Sequence, residues 1–284
     1  MLVHDERNRV KLPFPAKKEL GQNFLLDKNL LQKIVDNCLI DNQTMIIEIG
    51  SGYGHLTEIL AKTNCYQIIS CEKDSRLFLW LQNRWKAKQS KVVFLYQDAL
   101  KIDWKNFCQN YRNGNLNFLV VGNLPYGIAN SLICNLLENA ELFKSFIFLV
   151  QKEVAQRWTA TPQKYKKEYS ALSVYINLIA KAEIVLEVPK QCFFPSPLVD
   201  GSLVRLGIRE EISLERKKLV NLLAFLKNCF RYRRKTLWNN LLIASFREEE
   251  IARTFQQLGY VKEIRPQELT TQEYLNLYKN LISH

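Results

Sequence analysis

Between residues 45 and 150 one pattern repeats along the chain: a short apolar run, a polar or glycine-bearing turn, then apolar residues at helical spacing. The runs at 45–49, 67–71, 92–96, 116–121 and 145–150 have the length and composition of buried strands. Helical spacing places helices over about 55–62, 75–86 and 128–139 among them. Continuous apolar strands alternating with helices predict an α/β fold, a mostly parallel doubly wound sheet covered on both faces. Upstream, Leu26, Leu30, Leu31, Ile34, Val35 and Cys38 give 24–39 a helical period, with Asp27 available as its cap. Downstream, a polar segment at 159–168 and a helical stretch at 169–180 lead to a closing strand pair at 182–188 and 202–208, a common antiparallel addition. Past Arg209 the character changes, and 219–230, 234–244, 248–258 and 271–282 all read as helices. The chain therefore divides into an α/β domain at 1–208, with an irregular basic arm over residues 1–20, and a small all-α C-terminal domain at 209–284.

With 284 residues, 47% of them apolar, the chain can bury an ample core. No run approaches the roughly 18 apolar residues of a membrane span, and the opening Met-Leu-Val-His-Asp-Glu-Arg lacks a signal core, so we expect a cytoplasmic protein without a membrane partner. Seven scattered cysteines with no Cys-x-x-Cys pair, and only three histidines, argue against a metal centre. The net charge of +12 favours a polyanion. Its distribution sharpens that reading: Arg7, Arg9, Lys11, Lys17 and Lys18 form an acid-free stretch, and between Arg209 and Lys235 nine basic residues face three acidic ones.

The first apolar strand runs into Glu48-Ile49-Gly50-Ser51-Gly52-Tyr53-Gly54. Glycines at a strand end let backbone approach a ligand without a Cβ in the way. His55 stands where the dinucleotide fingerprint needs its third glycine, which disfavours a nicotinamide oxidoreductase. S-adenosylmethionine carries no pyrophosphate and suits the shorter spacing. Glu72, ending the second strand, can accept both ribose hydroxyls; Asp98 beside Ala99, ending the third, can accept an adenine amino group; Asn123 ends the fourth. Ligands in such sheets bind outside the carboxyl ends of the strands, where Gly50, Gly52, Glu72, Asp98, Ala99 and Asn123 all fall.

Asn123-Leu124-Pro125-Tyr126 supplies what methylation of an exocyclic amine requires. The Asn123 side-chain oxygen and the Leu124 carbonyl can accept the amine hydrogens, so that the nitrogen lone pair turns toward the methyl donor. Pro125 fixes the backbone direction, and Tyr126 offers a flat face to a base taken out of its stack. Phe194, in Phe193-Phe194-Pro195-Ser196-Pro197, is the candidate for the other side of that base.

Together these segments closely resemble the bacterial small-subunit (16S) ribosomal RNA adenine N6,N6-dimethyltransferase family over nearly the whole chain. Lys17 to Leu25 is similar to the family's cofactor-covering motif, which implies cofactor roles for Gln22, Asn23 and Leu25. Leu149 to Ala155 and Arg233-Arg234-Lys235-Thr236-Leu237 add family-specific stretches. The resemblance implies a class I S-adenosylmethionine-dependent methyltransferase fold, and dimethylation of two adjacent adenines in a hairpin near the 3' end of 16S rRNA. It further implies a monomer acting on the immature small (30S) subunit and contributing to ribosome biogenesis. Arg231, Arg233, Arg234 and Lys235 are then the candidate RNA contacts, read through phosphates and shape. The erythromycin-resistance methyltransferases of large-subunit rRNA share the fold but typically carry Ile at the Leu124 position and lack Gln151-Lys152-Glu153; a non-catalytic assembly factor is the alternative outside enzymes. The chain departs from the family pattern at Ser51, where proline is usual, and at Gly127, Ala129, Asn130 and Gly201.

Overall fold

A computed structural model describes residues 3–5, 10–86, 91–112, 114–125, 127–210 and 216–282. Seven strands build one sheet: β1 (Thr44–Ile49), β2 (Gln67–Glu72), β3 (Val92–Tyr96), β4 (Asn117–Asn123), β5 (Phe143–Gln151), β6 (Ala180–Val188) and β7 (Gly201–Ile208). Their spatial order is β3-β2-β1-β4-β5-β7-β6. β1 pairs in parallel with β2 and β4, β2 with β3, and β4 with β5, whereas β7 runs antiparallel to β5. Ile46, Ile47, Ile69, Val121, Phe146 and Phe148 are all buried, which is why these strands read as unbroken apolar runs. The strand order reverses between β1 and β4, where the loops diverge and open a crevice outside the carboxyl ends.

One glycine fixes how closely those two strands approach. Gly122 sits opposite Ile49 in the β1–β4 register, and a Cβ placed on it would lie 2.5 Å from the Ile49 carbonyl oxygen. Any side chain there must push the strands apart just before the glycine turn. Gly122→Ala should therefore destabilise the fold by about 1–3 kcal/mol, the usual range for overpacking, read as a lower midpoint of urea unfolding.

The helices of this region are α1 (Lys28–Asp36), α2 (His55–Leu60), α3 (Ser75–Trp85), α4 (Trp104–Tyr111), α5 (Ala129–Leu137) and α6 (Lys152–Trp158). The helix expected over 24–39 begins only after Asp27, whose Oδ1 accepts the Asn29 and Leu30 N–H groups at 2.8 and 3.1 Å. Phe24–Leu25 is instead extended and pairs antiparallel with Phe193–Phe194. The arm expected to be irregular contains a short antiparallel ribbon, Val3–Asp5 with Val10–Leu12, and a single 3-10 turn at Lys18–Leu20. Arg7 and Arg9 lie outside the described residues.

The chain divides into two compact units, and their boundary differs from a single break at 209. Met1–Ala155 and Glu183–Ile208 form the first; Gln156–Ala182 and Arg209–His284 form the second. The reason is α7 (Ala171–Ile179), whose Val174, Tyr175, Ile176 and Ile179 are all fully buried. It packs against α8 (Arg216–Cys229) and α11 (Thr271–Ile282), and the Tyr169 hydroxyl donates to the Leu269 carbonyl at 3.0 Å. A helix apolar on every face announces that it is buried, but not in which core. α9 (Leu237–Ile243) and α10 (Glu248–Leu258) complete this helical unit.

Candidate active site

The crevice at the β1/β4 switch point is a cleft of about 380 Å³. Gln22, Asn23, Gly50, Gly52, Glu72, Asp98, Ala99, Asn123, Leu124 and Pro125, scattered over a hundred residues of sequence, all line it. The glycine turn and the segment after β4 adjoin: a Cβ on Gly50 would lie 3.9 Å from the Asn123 carbonyl oxygen. Gly52 has φ +56°, and a Cβ there would come within 3.0 Å of the Phe24 ring. A substituent at either glycine would project into space the cleft needs.

Glu72 is nearly buried at the end of β2, and its two oxygens organise the surrounding backbone. Oε2 accepts the Gly52 N–H at 2.9 Å and Oε1 accepts the Asp74 N–H at 2.8 Å. Burial raises its carboxyl above the ordinary carboxylate range, and those backbone N–H groups pull the other way. Each oxygen has a second lone pair, so the group can still accept hydroxyls from a ligand. Asp98 caps the 3-10 turn that contains Ala99, accepting the Leu100 N–H at 3.1 Å, and pairs with Lys73 at 2.7 Å. Burial works to raise Asp98, but Lys73 and the Leu100 N–H prevail and hold it below the usual value. Lys73 and Gln97 also line the cleft, and nothing in their sequence context marked them.

Behind the turn lies a buried polar chain. Glu48 Oε2 accepts the hydroxyls of Ser70 at 2.5 Å and Thr57 at 2.6 Å, and the Ser70 and Ser51 hydroxyl oxygens are 2.5 Å apart. Ser51, the residue at the family's proline position, is thus tied through Ser70 to Glu48. Burial pushes the Glu48 carboxyl up to about 7 against the two hydroxyl hydrogen bonds. Its Oε1 has no hydrogen-bond partner among the described residues.

The segment before α1 is strapped across the cleft. Gln22 accepts the Lys17 N–H with Oε1 at 2.7 Å and donates from Nε2 to Asp74 at 3.1 Å; Lys17 Nζ lies 3.6 Å from the same carboxylate. The Tyr53 hydroxyl donates to the Phe14 carbonyl, and Asn123 Nδ2 donates to the Asn23 carbonyl at 2.8 Å. Burial works to raise the Asp74 carboxyl, but the Arg76 and Gln22 hydrogen bonds outweigh it and bring it down to about 2. A depressed carboxyl stabilises the folded state above its unfolded pKa and loses that contribution as pH falls toward the folded value. Asp74→Asn should therefore loosen the strap, speeding tryptic cleavage after Lys17 and Lys18 about tenfold at neutral pH, within the ~1.5–3 kcal/mol of a charged hydrogen bond. The stability difference from wild type should shrink as pH falls from about 4 to about 2; a difference flat across that window contradicts the latch.

Two expected residues sit differently. Leu25 is not on the cleft wall: it is buried, pairs through its backbone with Phe193, and lines a smaller cavity of about 40 Å³ with Gly50, Ser51, Gly52 and Asn123. Phe193 lines the cleft, whereas Phe194 packs against the cluster of Leu12, Phe24, Tyr53 and Leu77, because neighbours on a strand face opposite ways. Tyr126 lies outside the described residues. Phe24, which underlies Gly52 with its ring 4.4 Å from that of Tyr53, is the cleft residue that apolar periodicity misassigned to a helix. Among the described residues no three His, Cys, Asp or Glu side chains converge on a point, and no helix is long and apolar enough to cross a membrane.

In the helical unit Arg231, Arg233, Arg234 and Lys235 are all exposed. Arg233 is committed to the protein itself, its guanidinium donating to the carbonyls of Tyr169 at 2.8 Å and Lys167 at 2.9 Å.

Ribosomal RNA small subunit methyltransferase A of Streptococcus pneumoniae serotype 2 is 37% identical over 268 residues, 93% of this chain and 91% of that protein. Among solved structures, a dimethyladenosine transferase from Plasmodium falciparum superposes with TM-score 0.72 at 24% identity, covering 89% of this chain and 95% of that one. The 23S rRNA methyltransferase ErmE superposes with TM-score 0.67 at 23% identity, covering 91% and 99%. These two superpositions establish the class I methyltransferase fold. The family model described as ribosomal RNA adenine dimethylase matches residues 14–283, and the chain belongs to that family of methyltransferases.

Proposed function

We propose that this protein uses S-adenosylmethionine to dimethylate N6 of two adjacent adenines in a hairpin near the 3' end of 16S rRNA, acting as a cytoplasmic monomer on the immature 30S subunit. The observation that carries the reading is the shared wall of one cleft, where the glycine turn at 50–54 adjoins the Asn123-Leu124-Pro125 segment. The small-subunit name of a relative 37% identical over 93% of the chain favours the 16S substrate over its large-subunit counterpart.

The donor set fits the cofactor: a buried carboxylate for ribose hydroxyls at Glu72, an acceptor for an adenine amino group at Asp98 beside the buried Ala99, and glycine backbone at 50 and 52. Gln22, Asn23 and Leu25 belong to the strap that closes over it. Bound there, S-adenosylmethionine would supply an electrophilic methyl group on a sulfonium, a leaving group that needs no acid. The rest falls to positioning. Because Asn123 Nδ2 is held by the Asn23 carbonyl, its Oδ1 is the end of the amide left to accept a hydrogen from the target amine. The Leu124 carbonyl takes the other hydrogen, Pro125 sets the direction of the segment, and Tyr126 supplies a flat surface that holds the base. These acceptors also stabilise positive charge as it develops on the nitrogen.

Incubating unmethylated small subunits with methyl-labelled cofactor and mapping the product tests the assignment. Dimethylated adenines in the 3' hairpin of 16S rRNA are expected. Label confined to large-subunit RNA would transfer the protein to the other substrate class, and no label on either RNA would leave only an assembly role.

A further inference from the structure

Tyr232 is 43% exposed, yet its backbone is held from inside the helical unit. The buried Asn240 accepts the Tyr232 N–H at 2.9 Å and returns Nδ2 donations to the carbonyls of Tyr232 at 3.1 Å and Thr236 at 3.0 Å. Lys235 N–H donates to the same Tyr232 carbonyl at 3.0 Å. The Arg231 guanidinium and the Lys235 ammonium each lie 5.6 Å from the centroid of its ring. A buried amide thus holds the backbone that presents this partly exposed ring, and two cationic side chains lie against it.

Arg233 joins this turn to a second basic segment. Its guanidinium donates to the carbonyls of Lys166, Lys167 and Tyr169 and so fixes the loop that carries the exposed Lys164, Lys166 and Lys167. The one acid of that loop, Glu168, faces Arg157 at 3.5 Å and is not placed to neutralise the lysines. Lys164 Nζ lies 5.1 Å from the ring of Tyr165, repeating the pairing of cation and aromatic.

We infer that the 231–235 turn and the 164–167 loop form one RNA-docking surface, on which Tyr232 stacks an unpaired base while the lysines and arginines of both segments hold the flanking phosphates. The inference rests on the proposed RNA substrate; it adds a base platform and a second basic segment, and makes Arg233 a tie between them rather than a phosphate ligand. A partly exposed aromatic ring with cationic side chains beside it is the chemistry that binds single-stranded nucleic acid, since every base has a π face and every linkage a charge. Phosphate contacts alone would explain the lysines but not the rigidly presented ring.

Full-length protein is titrated with a fluorescein-labelled rRNA hairpin bearing unpaired adenines and with a fully paired duplex of equal length, over a salt series. Tyr232→Leu should bind the hairpin about tenfold more weakly and the duplex as wild type does, while Tyr232→Phe behaves as wild type. Replacing Lys164, Lys166 and Lys167 by Gln should weaken both RNAs alike and reduce the salt slope by about 2. Arg233→Met should speed tryptic cleavage after Lys166 and Lys167. Unchanged hairpin binding by Tyr232→Leu, or an unchanged slope in the lysine variant, overturns the inference. An Arg231, Arg234 and Lys235 to Gln variant separates the two levels. If only that variant weakens, the platform and loop fall and the RNA-binding unit stands; if it too binds as wild type, the underlying reading falls with them.

Discussion

Asn123→Ala is expected to lower methyl transfer about 100- to 1,000-fold, the loss typical of removing one preorganised polar contact to developing charge. The side chain has two separable duties. Nδ2 holds the strap through the Asn23 carbonyl, and on the proposed function Oδ1 is the acceptor for the target amine. Asn123→Asp keeps acceptors but cannot donate to that carbonyl, so its turnover should fall between wild type and alanine. Single-turnover transfer to unmethylated small subunits gives the rate, and calorimetry with the cofactor alone reports whether the strap still closes. A cofactor Kd within about tenfold of wild type, beside a rate down by two orders of magnitude, places the loss at the target amine. Wild-type turnover in the alanine variant would remove Asn123 from the chemistry.

On the proposed function Glu72→Ala should weaken cofactor binding about 100-fold, equivalent to ~2.7 kcal/mol, because a charge-assisted hydrogen bond to a ribose hydroxyl contributes about 1.5–3 kcal/mol. The variant also strips acceptors from the Gly52 and Asp74 N–H groups, so part of the loss reaches the ligand through a slacker turn. Glu72→Gln keeps the shape and one acceptor and should lose less. Titration calorimetry at neutral pH reads both, and an alanine Kd within about threefold of wild type would contradict the ribose assignment.

Most of the sheet was legible in the sequence because its strands are buried on both faces, which leaves apolar runs that nothing polar interrupts. The strand-end residues Gly50, Glu72, Asp98 and Asn123 were legible only jointly: each alone fits an ordinary strand end, whereas four polar or glycine features at successive strand ends point to a ligand outside the carboxyl ends. What escaped was long-range. Phe24 and Leu25 fit a helical period, yet they pair with Phe194 and Phe193, partners 170 and 168 positions away that no local window contains. Phe194 was picked over Phe193 by motif, whereas strand alternation decides which of them reaches the cleft. The ties made by Asp74 and Arg233 depend on carbonyls and amides brought together by folding, and a charged side chain in sequence gives no sign of being so occupied.

The helical unit is assembled from two stretches of chain with the last two strands of the sheet between them. A ribosome making this protein releases α7 well before the helices that will enclose it, so its apolar surface must wait, uncovered, for the carboxyl-terminal stretch to be synthesised. A fragment starting at 209 would carry the mirror defect, a hollow where Val174, Tyr175, Ile176 and Ile179 belong, and should be recovered as aggregate.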